Sequence, residues 1–364
     1  FFFKVAATTR FYLLSLVEAL PFYLGRIVHV VCCWCSFCQH YVMFVERTTT
    51  NGARPIVSHR AVGFNLVMST SLRVLALNPY HGGSHQAFLD GWSRHSRHEF
   101  TTLTLPPFKW KWRMRHAALS FVERVRELET AGGDWDVMFC TDMLNLAEFR
   151  GLAGDDIARL PAVAYFHENQ LTYPSQAADE RDLHFAFTNM LTGLAADRVW
   201  FNSAFHRDEF LTALDQMLRR MPDHQPLSAV ERIRSKSSVF PPGIEPPLAR
   251  PVRQPDHPLR LVWASRWEHD KGPETFFAAL RLLRDRGIDF RLNVLGESFG
   301  QVPACFEVAR QEFSGQITRW GFLADRAEYQ AALSASDVAV STANHEFFGI
   351  AMVEAVAAGC FPLA

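Results

Sequence analysis

Three observations predict an α/β fold built from two successive Rossmann-like halves. The first is a pair of strand, loop and helix openings, one at 72–92 and the other at 259–285. The second is a repeated alternation of short apolar runs with amphipathic stretches, which is how a parallel sheet covered on both faces reads in sequence. The third is a stretch from 216 to 258, rich in proline and charge, that separates the two openings and within which Val239 to Ile244 reads as the crossing between domains. A chain of 364 residues, 48% hydrophobic and 21% charged, has the length and the apolar content for two buried cores. Its formal net charge of −1 gives no global signal for a polyanionic partner, so a polyanion site has to be local.

Residues 1–71 stand apart from this scheme as an apolar leader. No Asp, Glu, Lys or Arg occurs from 27 to 45, between Arg26 and Glu46, and that run is nearly long enough to span a bilayer. His29, Gln39 and His40 interrupt it, and no cleavage region of a signal peptide follows, so an irrelevant leader is the expectation and a membrane anchor the alternative. Met68 lies five residues before the first convincing strand, Arg73–Leu77, and is the expected native start. The seven cysteines do not form a secreted disulfide framework, because four of them crowd together at 32, 33, 35 and 38. Cys35 and Cys38 with Cys32 and His40 offer a zinc set, but the apolar surroundings and the lack of a second ligand cluster favour a chain without metal.

The N-terminal domain is expected over 72–240. Leu72–Leu77 reads as a buried strand, and the loop Asn78 to Ser84 precedes an amphipathic stretch from His85 to Trp92. Gly82 and Gly83 allow close backbone approach to a ligand, although a glycine turn without a ligand has the same local sequence. Gly-x-Gly-x-x-Gly is absent, which argues against a dinucleotide fingerprint. Strands at 100–105, 136–140, 162–166 and 198–201 alternate with helices at 114–129 and 183–196. Ligands of such sheets sit beyond the carboxyl ends of the strands. His167, just past the strand ending at Phe166, is placed there either as a catalytic group or as a hydrogen-bonded loop histidine. Phe108 to His116 interleaves four cations with aromatics. That pattern suits phosphates and stacked bases, or equally a solvated helix start whose tryptophans serve the core.

A hinge is expected at 241–258, after which the C-terminal domain runs from 259 to 364. The strand Leu259–Ala264 leads into a loop carrying Arg266 and Lys271, then a helix from Pro273 to Asp285. Two fixed cations after a strand end are what a leaving diphosphate needs. Near the C-terminus, the strand Asp337–Ser341 precedes His345-Glu346-Phe347-Phe348-Gly349, and Glu354 follows eight positions after Glu346. Gly349 is expected to open a helix whose first N–H groups favour phosphate or developing negative charge.

This pair of glutamates resembles the Glu-x7-Glu signature of retaining glycosyltransferases of family 4, which have the GT-B fold of two Rossmann-like domains facing a cleft. Taken with Pro242-Gly243-Ile244 and Trp320-Gly321-Phe322, the order of motifs is specific. Across roughly 72–364 the chain resembles the tRNA-queuosine α-mannosyltransferases, on the strength of Asn78 to His85, Lys109 to Arg115 and Tyr165 to Pro174. The resemblance implies a cytoplasmic enzyme that moves mannose from GDP-mannose to queuosine in a tRNA anticodon, with retention and without a cofactor or metal. It implies Glu346 and His167 as catalytic residues, with Gly82, Gly83, Arg266, Lys271, Gly349 and Glu354 at the donor. Lys109, Trp110, Lys111, Arg113 and Arg115 are then assigned to the acceptor. A family 4 enzyme with a lipid or glycan acceptor, and an inactive sugar-nucleotide or tRNA binder, are the competing readings. Because the chain stops at Pro362-Leu363-Ala364, its second domain is expected to be truncated, short of the closing elements of a complete GT-B enzyme.

Overall fold

The computed structural model describes residues 71–174, 182–245, 257–298 and 302–364, together with the backbone of two short strands. Those strands, β1 (Val28–Val30) and β2 (Phe44–Glu46), pair antiparallel within a separate unit, Phe1–Ser69. The zinc reading of Cys32 to His40 and most of the candidate anchor at 27–45 lie outside the described residues. No helix among the described residues is long and apolar enough to cross a membrane.

The second unit, Thr70–Ala364, holds two parallel sheets. Its first half runs β3 (Arg73–Asn78), α1 (Gly83–His95), β4 (Glu99–Thr104), α2 (Trp110–Thr130), β5 (Val137–Thr141), α3 (Leu146–Leu152), α4 (Asp155–Ala158), β6 (Ala162–Phe166), α5 (Leu183–Ala195), β7 (Arg198–Phe201), α6 (Ala204–Arg219), α7 (Ser228–Arg234) and β8 (Ser237–Val239). The strand order is β4-β3-β5-β6-β7-β8. Successive side chains of β3 serve opposite faces, as strand geometry requires. Leu75 and Leu77 join the large core under α2, while Val74 and Ala76 pack beneath Phe88 and Trp92 of α1.

The second half runs β9 (Leu259–Ala264), α8 (Pro273–Asp285), β10 (Phe290–Leu295), α9 (Cys305–Glu312), β11 (Ile317–Gly321), α10 (Arg326–Ser334), β12 (Val338–Val340), α11 (Ile350–Ala357) and β13 (Phe361–Leu363). Its sheet order is β11-β10-β9-β12-β13. Phe276, Phe277 and Leu280 bury one face of α8 against Trp263 and Phe306, each side chain contributing about 1.5–3 kcal/mol of apolar burial. The exposed residues of β13 lie at the sheet edge, beside β12.

Two readings of the sequence are corrected. Helix α2 begins at Trp110 and not at 114, because Lys109 adopts a left-handed conformation, φ 51°, and turns the chain into the helix. The stretch 202–239, for which the sequence reading gave no element, forms α6, α7 and β8, and the buried Ala229, Val230 and Ile233 of α7 complete the first core. Proline and surface charge masked that helical face.

Candidate active site

The loop after β9 and the loop before α11 meet at Lys271. Its side chain is 8% exposed, and Nζ lies 2.7 Å from Glu346 Oε1 and 3.0 Å from Asp270 Oδ2. It also donates to the carbonyl of His345 at 3.2 Å. The two loops are laced together by further bonds: Thr342 Oγ1 donates to the Lys271 carbonyl, and Asn344 N donates to the Asp270 carbonyl. A buried ammonium with two carboxylates and a carbonyl has the pairing that burial of charge demands. Of the residues assigned from the sequence, Lys271 and Glu346 are therefore brought into direct contact.

Gly272 makes this approach possible. Its φ is +60°, and a Cβ there would lie 2.2 Å from the Thr342 carbonyl oxygen. Gly272→Ala is expected to lower stability by about 1–3 kcal/mol through backbone strain and to displace the 342–346 loop. Equal denaturation midpoints for the variant and the parent chain would contradict this account.

Arg266 reaches across the cleft. Its Nη2 donates to the Tyr173 hydroxyl at 2.6 Å and lies 3.3 Å from Glu268. The neighbouring Thr172 and the first turn of α6 face the Glu346 loop. Ser203 caps α6 by accepting from His206 N, and its hydroxyl also donates to the Phe347 carbonyl. Phe347 lies between Tyr173 and His206, with ring centroids at 6.3 and 4.2 Å. Gly349, at φ 76°, opens α11. Glu354 belongs to a different cluster: its carboxylate pairs with Arg326 and is bonded by Tyr329, and among the described residues it shares no ion pair with Arg266 or Lys271.

His167 sits where the sequence places it, past the end of β6. Its backbone N–H donates to Asp142 Oδ1 at 2.9 Å, and its carbonyl accepts from Asn202 Nδ2 at 2.8 Å. The ring lies 4.1 Å from that of His85 and 4.6 Å from that of Tyr165. Burial, reinforced by His85 and His206, pushes its pKa well below the ordinary histidine value. At neutral pH the imidazole is uncharged, so it can act as a hydrogen-bonding group and not as a fixed charge. Asp142 and Glu168 are driven the other way, Asp142 by burial and the charge of Glu168, Glu168 by burial against the pull of Arg266.

Gly82 and Gly83 stand at the start of α1. A Cβ on Gly82 would meet Pro107 at 2.5 Å, so its missing side chain admits the loop that follows β4. Gly83, at φ 53°, turns the chain into the helix.

The same loop leads to the basic and aromatic stretch. Lys109, Lys111 and Arg115 are exposed, with Arg115 over the Phe185 ring. Arg113 is committed inward, donating to the Pro106 carbonyl and bonding His116. Trp110 packs on Phe185 at 5.1 Å, whereas Phe108 and Trp112 are each 61% exposed. Trp110 and Arg113, also assigned to the acceptor from the sequence, are thus half-buried and partnered within the protein. Helical periodicity turns residues 110 and 114 toward the protein and leaves 112 outside. Glu209, Thr172 and Tyr173, which complete the cleft, carried no role in the sequence reading; only the last two fell in a quoted motif.

Comparison with known proteins agrees in both halves. Residues 73–244 match the model of the tRNA-queuosine alpha-mannosyltransferase N-terminal domain, and residues 248–364 match that of glycosyl transferases group 1. The chain is 35% identical over 305 residues to a tRNA-queuosine alpha-mannosyltransferase of Drosophila melanogaster, covering 80% of this chain and 78% of that one. It is 33% identical over 101 residues to a GDP-mannose-dependent alpha-(1-6)-phosphatidylinositol dimannoside mannosyltransferase of Mycobacterium tuberculosis, covering 28% of this chain and 26% of that one. Among solved structures, sucrose-phosphate synthase of Thermosynechococcus elongatus superposes with a TM-score of 0.55 at 17% identity, over 80% of each chain. That likeness shows the GT-B fold.

Proposed function

The chain belongs to the tRNA-queuosine alpha-mannosyltransferase family, and from that premise we propose that it transfers mannose from GDP-mannose to queuosine in a tRNA anticodon, in the cytoplasm and with retention of configuration. The observation that carries the reading is the Lys271–Glu346 ion pair, with Arg266 on the same loop after β9 bonded to Tyr173 of the first half. Lys271 and Arg266 take the diphosphate, and the helix start at Gly349 adds partial positive charge on the same side. With that charge in place, the leaving phosphate needs no divalent cation. Glu346 lies beside the donor sugar, where it holds hydroxyls and opposes the positive charge of an oxocarbenium-like state. Neutral His167 orients the sugar from the facing domain. Glu354 holds the nucleotide ribose, with Arg326 and Tyr329 fixing its carboxylate. GDP as the nucleotide is supported by the name of the mycobacterial relative.

The exposed aromatic and basic surface of α2 favours tRNA over a lipid or glycan acceptor. Phe108 and Trp112 offer stacking faces, and Lys109, Lys111 and Arg115 offer phosphate contacts. Replacing these three cations by Gln is expected to weaken tRNA binding and to reduce its log–log salt slope by about 0.7 to 0.9 per lost contact. Affinity for the sugar nucleotide should stay the same. A salt slope equal to that of the parent chain would remove the surface from the acceptor site.

The reaction itself is tested by incubating the chain with GDP-mannose and queuosine-containing tRNA, with and without a chelator, and weighing the nucleosides. Queuosine should gain one hexose in both arms. No gain in mass would overturn the proposed function, and a gain abolished only by the chelator would overturn its metal independence.

A further inference from the structure

We infer that Glu209 is a positioning residue for transfer: from the first half of the molecule it holds His345, and through it the loop that carries Glu346. The inference rests on the proposed assignment of residues 345–349 to the reacting end of the donor.

Glu209 lies on the inward face of α6 and its side chain is 27% exposed. Both of its carboxylate oxygens lie 3.1 Å from His345 Nε2, and Oε2 also accepts from Thr172 Oγ1 at 2.9 Å. Thr172 in turn accepts from Asn169 Nδ2 at 2.9 Å, and Asn169 Oδ1 accepts from the backbone of Leu171 and Thr172. Donor and acceptor senses then run consistently from one half to the other: Asn169 donates to Thr172, Thr172 donates to Glu209, and His345 donates to Glu209 from the opposite side. Glu209 serves this chain as an acceptor only, and the proton of the His345 bond sits on Nε2.

The reach of that contact exceeds its own strength. A partly exposed carboxylate and imidazole contribute little to stability, too little to hold two domains together. Yet the carbonyl of His345 receives Lys271 Nζ, and the next residue is Glu346, itself paired with Lys271. Releasing the His345 ring therefore removes one of the tethers from the first half, another being the Ser203 bond to the Phe347 carbonyl, on the segment that sets both charges of the site. On the same side, Tyr173, the residue after Thr172, holds Arg266. One turn of the first half thus touches both arms of the second. A displacement of about 1 Å at a reacting group can cost 100-fold in rate.

The groups facing the His345 ring are Glu209, Phe205 at 5.8 Å and Phe347 at 4.5 Å. The two aromatic rings pack whether or not the carboxylate is present. The structural contribution of the site and its positioning contribution are therefore separable by changing Glu209 alone.

The experiment is a double-mutant cycle with Glu209→Ala, His345→Ala and both, read as kcat and KM for GDP-mannose and tRNA, with hydrogen exchange of the 342–350 segment measured in parallel. Each single change should lower kcat by about 10- to 100-fold with KM for tRNA held within about two-fold, and the double variant should lose no more than the worse single one. Glu209→Gln, which keeps one acceptor oxygen for both partners, should recover most of the activity. Exchange of 342–350 should quicken in both single variants, and in the double no more than in His345→Ala, which also loses the ring contacts with Phe205 and Phe347. Additive losses, unchanged exchange, or a Gln variant as impaired as Ala would each overturn the positioning role. Should the parent chain transfer nothing to tRNA, the proposed function falls, while the exchange cycle still decides whether Glu209 holds the 342–350 segment.

Discussion

Lys271→Ala is expected to lower turnover by about two to three decades, the scale of losing one charge-stabilising donor at a developing anion. Lys271 is buried, and its ammonium is the shared partner of Asp270, Glu346 and the His345 carbonyl. The substitution consequently removes the cation offered to the diphosphate and leaves two carboxylates close together. Breaking a buried pair from one side costs about 3–5 kcal/mol in stability, so a melting curve has to accompany the rate. Arg266→Ala separates the two effects. Its side chain is 41% exposed, so it should lose a comparable amount of turnover with little loss of stability. Full turnover of the Arg266 variant at saturating donor would remove the diphosphate assignment.

Glu346→Gln is expected to reduce turnover by about two decades without trapping a sugar on the protein. The amide keeps the shape and one acceptor for Lys271 but no longer opposes the positive charge building on the sugar. A carboxylate held 2.7 Å from an ammonium is also a weakened nucleophile, because attack would have to break that pairing. In the proposed mechanism the leaving phosphate accepts the acceptor's proton, and the product keeps the α configuration. Mass analysis of the intact variant and parent chain after exposure to donor provides the check. A mannosyl adduct on residue 346, or a β-linked product, would sink the mechanism.

These two predictions use residues that were legible in the sequence, and their legibility has a physical origin. Strands buried on both faces need unbroken apolar runs, so 73–78, 137–141, 162–166 and 259–264 declare themselves locally. Chemistry in such folds sits on the loops at the carboxyl ends of those strands, which directs attention to His167, Arg266, Lys271 and Glu346. Glycines at 272 and 349 mark turns that a Cβ would strain.

Which loops touch is a different kind of fact, set by how the halves pack. No local pattern joins Lys271 to Glu346, or Glu209 to His345, because each pair is distant in the chain and its members reside on elements brought together only by tertiary packing. The same holds for charge: His167 is a histidine like any other in sequence, and only its enclosure by His85 and Tyr165 makes it neutral. At α2 the sequence by itself determined a run of cations and aromatics. The register of the helix, set by the left-handed turn at Lys109, decided that Trp110 packs inward, that Arg113 bonds its own loop, and that Trp112 and Phe108 face the solvent. Local composition determines strands, turns and the chemical repertoire, because those depend on near neighbours; partners, burial and protonation depend on the environment that the rest of the chain supplies.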